Sequence, residues 1–238
     1  MAYDYLGLVN DVNRRLNEIE LTTSNFLTVT GEYAMVKDAV NASIRFINQH
    51  EYEWPYNHVE ATETLTPGIV RYAFPSDTKT INFNTFRIKR NDTLGNETKK
   101  LNLLSYEEYL ETFSDFEYNT SESLRACPTL VFKAPSSEFG IINPPDKAYE
   151  LVYEYYRLPV DLINSTDVPS IPEQFRYVIV DGAMYFAYMF RGESQESAMM
   201  QDRFEQEIKQ MRSLYINRYD YLRSTVINTT VQTNTRVS

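Results

Sequence analysis

The sequence predicts an α+β chain: N- and C-terminal helices form one bundle around an inserted, mainly antiparallel β domain, and an extended C-terminal arm follows. Three observations predict it. Apolar residues recur at helical spacing over 4–20 and 32–50, the same spacing returns after residue 170, and between them the pattern alternates and is punctuated by Gly, Pro, Asn and Asp. The limits that follow are 1–55 with 170–220 for the bundle, 56–169 for the β-rich insert with one short helix, and 221–238 for the arm.

Tyr5, Leu8, Val9, Val12, Leu16 and Ile19 make one apolar stripe, while Asp11, Asn13, Arg14, Asn17 and Glu18 fill the opposite face, as in an amphipathic helix. A Thr-rich connection over 22–30, carrying Phe26 and Leu27, leads to a second helix with Val36, Val40, Ile44 and Ile47 on its apolar face. Trp54-Pro55 closes it, because proline disfavours helical geometry in the residue before it. Candidate strands then cover 58–64, 69–74, 81–89, 99–103, 129–133 and 148–157. The last alternates most clearly, with Tyr149, Leu151, Tyr153 and Tyr155 on one face and Glu150, Val152, Glu154 and Tyr156 on the other. Within the β region, Ser105-Tyr106-Glu107-Glu108 is a capping box that starts a short helix ending near Phe113.

A second capping box, Ser170-Ile171-Pro172-Glu173, opens a long apolar helix through Phe175, Val178, Ile179, Met184, Phe186 and Met189. Gly192 suits the left-handed position that ends a helix, and Gly182 suits close helix packing. The next helix, 194–219, carries Phe204, Ile208, Met211 and Tyr215, and so short a connection makes the pair an antiparallel hairpin. Beyond it, 222–238 is rich in Thr and Val with no helical period and nothing local to pair with.

Composition excludes more than it assigns. A net charge of −10 with scattered Lys and Arg argues against a nucleic-acid grip, and the one basic run, Arg87-Ile88-Lys89-Arg90, reads as a solvated strand face. No apolar run approaches the roughly 20 residues of a membrane helix, and Met-Ala-Tyr-Asp-Tyr lacks the regions of a signal peptide, so a soluble compartment is expected. With one cysteine, Cys127, and two histidines, His50 and His58, neither a disulfide nor a Cys/His zinc site is expected. Cys127 reads as a buried inert thiol, the histidines as surface or boundary residues, and the Asn-x-Ser/Thr sites at Asn41, Asn91, Asn96, Asn119, Asn164 and Asn228 as unglycosylated. The seven glycines show no phosphate-loop or dinucleotide spacing, so no cofactor is expected. Acid pairs such as Glu107/Glu108 and Glu205/Glu207 read as solvated helix faces, and Met184, Met189, Met199, Met200 and Met211 as core filling. Nineteen Tyr and thirteen Phe point to amphipathic contact surface.

The segment Leu8-Val9-Asn10-Asp11-Val12-Asn13-Arg14-Arg15-Leu16-Asn17-Glu18 resembles the opening helix, L-V-N-x-V-x-x-R-L-x-E, of head-to-tail adaptor (connector) proteins of tailed bacteriophages. Ile171-Pro172-Glu173-Gln174-Phe175, Asp181-Gly182-Ala183 and Arg191-Gly192-Glu193 before a helix with Met211 are similar to that family's closing hairpin. The resemblance implies a non-enzymatic homo-oligomeric ring, commonly of twelve copies, docked beneath the portal protein, its β region facing a tail or nozzle protein and DNA passing through its channel. It implies a place at the head–tail junction of the virion, and the bacterial host cytoplasm during assembly. Helices bearing Leu16, Val40, Ile44, Phe204, Ile208 and Met211 would form the ring wall. The arm, through Ser224, Val226, Ile227, Thr229, Val231, Thr233 and Val237, would bind portal by adding a strand to its partner. A strongly acidic ring suits a channel through which DNA slides without being held. Two other readings stand beside this one: a carbohydrate- or receptor-binding module using the Tyr-rich β region, and a hydrolase using paired carboxylates.

Overall fold

A computed structural model describes residues 2–49, 53–92, 95–118 and 121–215. Among these are six α-helices and eight strands in the order helix pair, β region, helix pair. The arm and His50 lie outside the described residues.

α1 (Tyr5–Arg15) begins at Asp4, whose side chain accepts from Gly7 N at 2.7 Å. It stops earlier than the periodicity suggests. Asn17 takes a left-handed conformation (φ 60°), Asn17 N donates to Arg14 O and Glu18 N to Asn13 O, a Schellman closure that spends the last carbonyls of the helix. Ile19, expected on the apolar stripe, is therefore in the connection and 77% exposed. Phe26 instead fills the core from that connection, edge-on to Tyr5 at 5.0 Å. α2 (Glu32–Gln49) buries Val36, Val40, Ile44 and Ile47 as its spacing predicts, and Trp54 caps its far end by donating Nε1–H to Ile47 O at 2.8 Å.

α5 (Arg176–Arg191) and α6 (Ser194–Tyr215) form the expected antiparallel hairpin, and Gly192 between them has φ 78°. The second capping box is not made. Ser170 Oγ has no partner, Glu173–Phe175 is a single 3-10 turn, and α5 starts only at Arg176. Burial of Ile171 and Phe175 draws this stretch across the helices before the chain turns helical. The four long helices and the strand-free stretch near Leu162 share one apolar core. Residues 161–169, which the sequence assigns to the β region, pack against these helices: Leu162 N donates to Asn41 Oδ1 and Asn41 Nδ2 to Leu162 O, both at 3.0 Å.

The β region holds β1 (His58–Thr64), β2 (Arg71–Ala73), β3 (Thr78–Asp92), β4 (Gly95–Lys100), β5 (Asn102–Leu104), β6 (Leu130–Ala134), β7 (Glu138–Ile142) and β8 (Glu150–Arg157). They form two four-stranded sheets, an outer one ordered β1-β8-β3-β4 and an inner one ordered β2-β7-β6-β5. Every pairing is antiparallel except β5 with β6. The inner sheet is covered on its far side by α3 (Tyr106–Thr112), which Ser105 caps as expected by accepting from Glu108 N. Tyr109 of α3 stacks on Phe132 at 3.8 Å and donates to Glu117 of α4 (Asp115–Tyr118) at 2.7 Å, and Glu117 also holds Arg71 of β2 at 2.8 Å. The sequence reading misses β7. The β6–β7 hairpin turns on Ser136 and Ser137, both with positive φ (62° and 59°), and Ser-Ser lacks the Asn-Gly signature that announces such a turn.

Candidate functional site

The residues read as the ring wall are brought together, but inside the subunit. Val40, Ile44, Phe204, Ile208 and Met211 are all at most 3% exposed, and Leu16, at the end of α1, is half-buried against the same core. They hold the helical unit together, so contacts with other molecules must use other surfaces. The Tyr-rich face of β8 also points inward: Tyr149, Tyr153 and Tyr155 are buried between the sheets, where no glycan can stack on them. Met184 and Met211 fill the core as expected, whereas Met189 and Met199 are exposed. Cys127 is half-buried rather than buried, its Sγ 3.8 Å from Pro128 O. His58 opens β1, stacks on Tyr156 and places Nε2 3.2 Å from Glu154.

A more informative surface is the connection between β8 and α5. Leu158 N donates to Asp77 O at 2.7 Å, Arg45 pairs with Asp161 at 2.8 Å, and Leu162 is clasped by Asn41. Asp167 closes the turn by accepting from Ile163 N (2.8 Å) and Asn164 N (2.7 Å), bonds that hold its carboxyl below the usual carboxylate range. The first backbone donors of α1, which have no partner within the helix, reach the same loop: Tyr5 N donates to Asp167 O at 2.8 Å and Leu6 N to Ser165 O at 3.0 Å. A loop pinned at so many points nevertheless turns three apolar side chains to water, Val160 at 78%, Ile163 at 63% and Val168 at 61% exposure. Beside them is a concavity of about 260 Å³ lined by Ile44, Leu158, Pro159, Val160, Leu162 and Val168. An ordered loop that groups apolar side chains in water offers a surface another molecule could cover. The sequence reading passes over this stretch, although prolines at 159 and 169 bracketing four aliphatic residues are a visible signal.

The second feature corrects the reading of Glu207 as part of a solvated face. Glu207 is 7% exposed and Asp181 is fully buried, and the two carboxylates meet between α5 and α6. Arg203 bridges them, 2.8 Å from Asp181 and 3.1 Å from Glu207, and Arg15 of α1 pairs with Asp181 from the other side. Burial first, then the hydrogen bond and charge of Asp181, push the Glu207 carboxyl up to about 7. The pair ties three helices through arginines whose side chains stay about half in water. By contrast Glu107 and Glu108 are exposed, as expected.

A pH dependence follows. Because the folded pKa of Glu207 lies above its unfolded value, its contribution to stability is full below about pH 4.5 and is lost as pH rises to about 7, on the order of 2 kcal/mol in all. Thermal melts at a series of pH values should show that decline, and Glu207→Gln should flatten it while raising the melting temperature at about pH 8. A variant with the parent's pH profile would show that Glu207 is ionised in the folded chain.

Among the described residues, no helix is long and apolar enough to cross a membrane, and no group of three or more His, Cys, Asp or Glu side chains is placed to hold a metal ion. A family model described as SU10 adaptor protein matches residues 3–230. No curated protein matches the chain.

Proposed function

Because this chain belongs to the SU10 adaptor protein family, the phage structural adaptors that associate with portal and tail proteins, we propose that it forms a ring that joins the portal to the tail and lines the DNA channel. Twelve copies, present in the host cytoplasm during assembly, are the arrangement that the resemblance in the opening helix and closing hairpin implies. The helices of 1–55 and 170–220 make the portal-facing wall, and the β region of 56–169 faces the tail. The role is one of joining and not of catalysis.

The observation that supports this reading is the pinned loop over 158–170, whose Val160, Ile163 and Val168 are exposed to water and would be covered by the portal. A second contact comes from the arm. Its residues Ser224, Val226, Ile227, Thr229, Val231, Thr233 and Val237 supply a strand whose backbone hydrogen bonds are completed on the portal. Mixing the purified chain with portal protein should give a ring stacked on the portal ring by negative-stain microscopy and a matching mass by sedimentation. Removing residues 224–238 should leave the melting temperature unchanged and weaken portal binding at least tenfold. Undiminished binding of the shortened chain would take the arm out of the interface, and absence of any complex with the full chain would remove the adaptor reading.

A further inference from the structure

We propose that neighbouring copies in the ring join through the outer sheet, with the β4 edge of one copy lying against the β1 edge of the next. This rests on the ring reading and says which surfaces close it. Among the described residues the outer sheet has two unpaired edges, β1 of seven residues and β4 of six, whereas the edges of the inner sheet, β2 and β5, have three residues each. Long open edges are the natural template for pairing with another chain, and short ones are not.

Charge gives the two edges opposite signs. At the β4 side Arg87 and Lys100 stand directly opposite each other in the ladder, both exposed, and neither has an ion-pair partner among the described residues. At the β1 side Glu60 stands directly opposite Glu154, and Glu60 likewise makes no ion pair among the described residues. Like charges facing across a ladder destabilise a sheet. Each side therefore carries like charges facing across the ladder, eased at the acidic side by His58 beside Glu154 and by the charge of Lys89, and the two sides are complementary to each other. One row away the conflict is absent, because Lys89 meets Glu150 at 2.8 Å.

Strand direction fits as well. β1 with β8, β8 with β3 and β3 with β4 are all antiparallel, so β4 runs opposite to β1. Rotation about a ring axis then sets β4 antiparallel to the next copy's β1, continuing the alternation. Lys100 is level with Arg87, Val152 and Thr62 across the sheet, so a slip of two residues brings it opposite Glu60 of the next copy, and no slip leaves the two diagonal, still within reach of long side chains.

The test uses full-length chains and reads oligomer mass against protein concentration by mass photometry, with and without portal protein. Glu60→Lys alone, and Arg87→Glu with Lys100→Glu, should each raise the concentration for half-assembly about tenfold or more, while melting as the parent does because all three positions are exposed. The chain carrying all three changes should assemble within about threefold of the parent, since the edges are again complementary. Unchanged assembly of the first two variants, or no recovery in the third, overturns the edge contact and leaves the ring in place through other surfaces. If the parent chain gives no oligomer in either condition, the ring reading and the edge contact fall together.

Discussion

Gly182→Val should lower the melting temperature by about 10 °C. A Cβ on Gly182 would sit 2.3 Å from Ser43 Oγ and 2.5 Å from the Phe204 ring, distances that carbon atoms do not adopt. α2 and α6 both close on α5 at this point, and Ser43 anchors the crossing by donating to Ile179 O at 2.9 Å. Three well-packed helices cannot all step back, so overpacking should cost about 3 kcal/mol, a large share of the roughly 5–15 kcal/mol that holds a domain folded. Gly192→Ala is the comparison. That residue also resists substitution, but through its φ of 78° alone, with open space around it, and the cost should stay near 1 kcal/mol. Equal melting shifts for the two variants would mean that crowding at Gly182 is relieved by repacking.

Val160→Ser, Ile163→Ser and Val168→Ser together should leave folding intact and reduce portal binding about a hundredfold. The three side chains are mostly in water in the subunit, so their loss costs the fold little, within roughly 0.5 kcal/mol each. Buried against a partner, each would contribute about 1 kcal/mol, and three give the hundredfold. The loop itself should persist, because it is held by Asn41, Asp167 and the first N–H groups of α1 and not by the three apolar groups. Portal affinity equal to the parent's, measured by titration on immobilised portal protein, would assign this surface to some other contact.

The sequence by itself determined the order of the elements, the faces of α2 and β8, the cap of α3 at Ser105, the hairpin break at Gly192 and the resemblance in residues 8–18. These are local properties: a spacing of three or four, an alternation of two, or one side chain meeting a backbone group a turn away. Tertiary structure decided what depends on partners distant in the chain. It withheld the cap at Ser170 by drawing Ile171 and Phe175 into the helical core, whereas the end of α1 at Asn17 and the Ser136-Ser137 turn are local but lack the usual residue signatures. It also brought Glu207 and Arg15 to Asp181, and pinned the loop over 158–170 to Asn41, more than a hundred residues away in the chain. Burial, ion pairing and the facing of Glu60 to Glu154 and of Arg87 to Lys100 across the ladder are relations between segments, and periodicity within one segment carries no record of which other segment will lie against it.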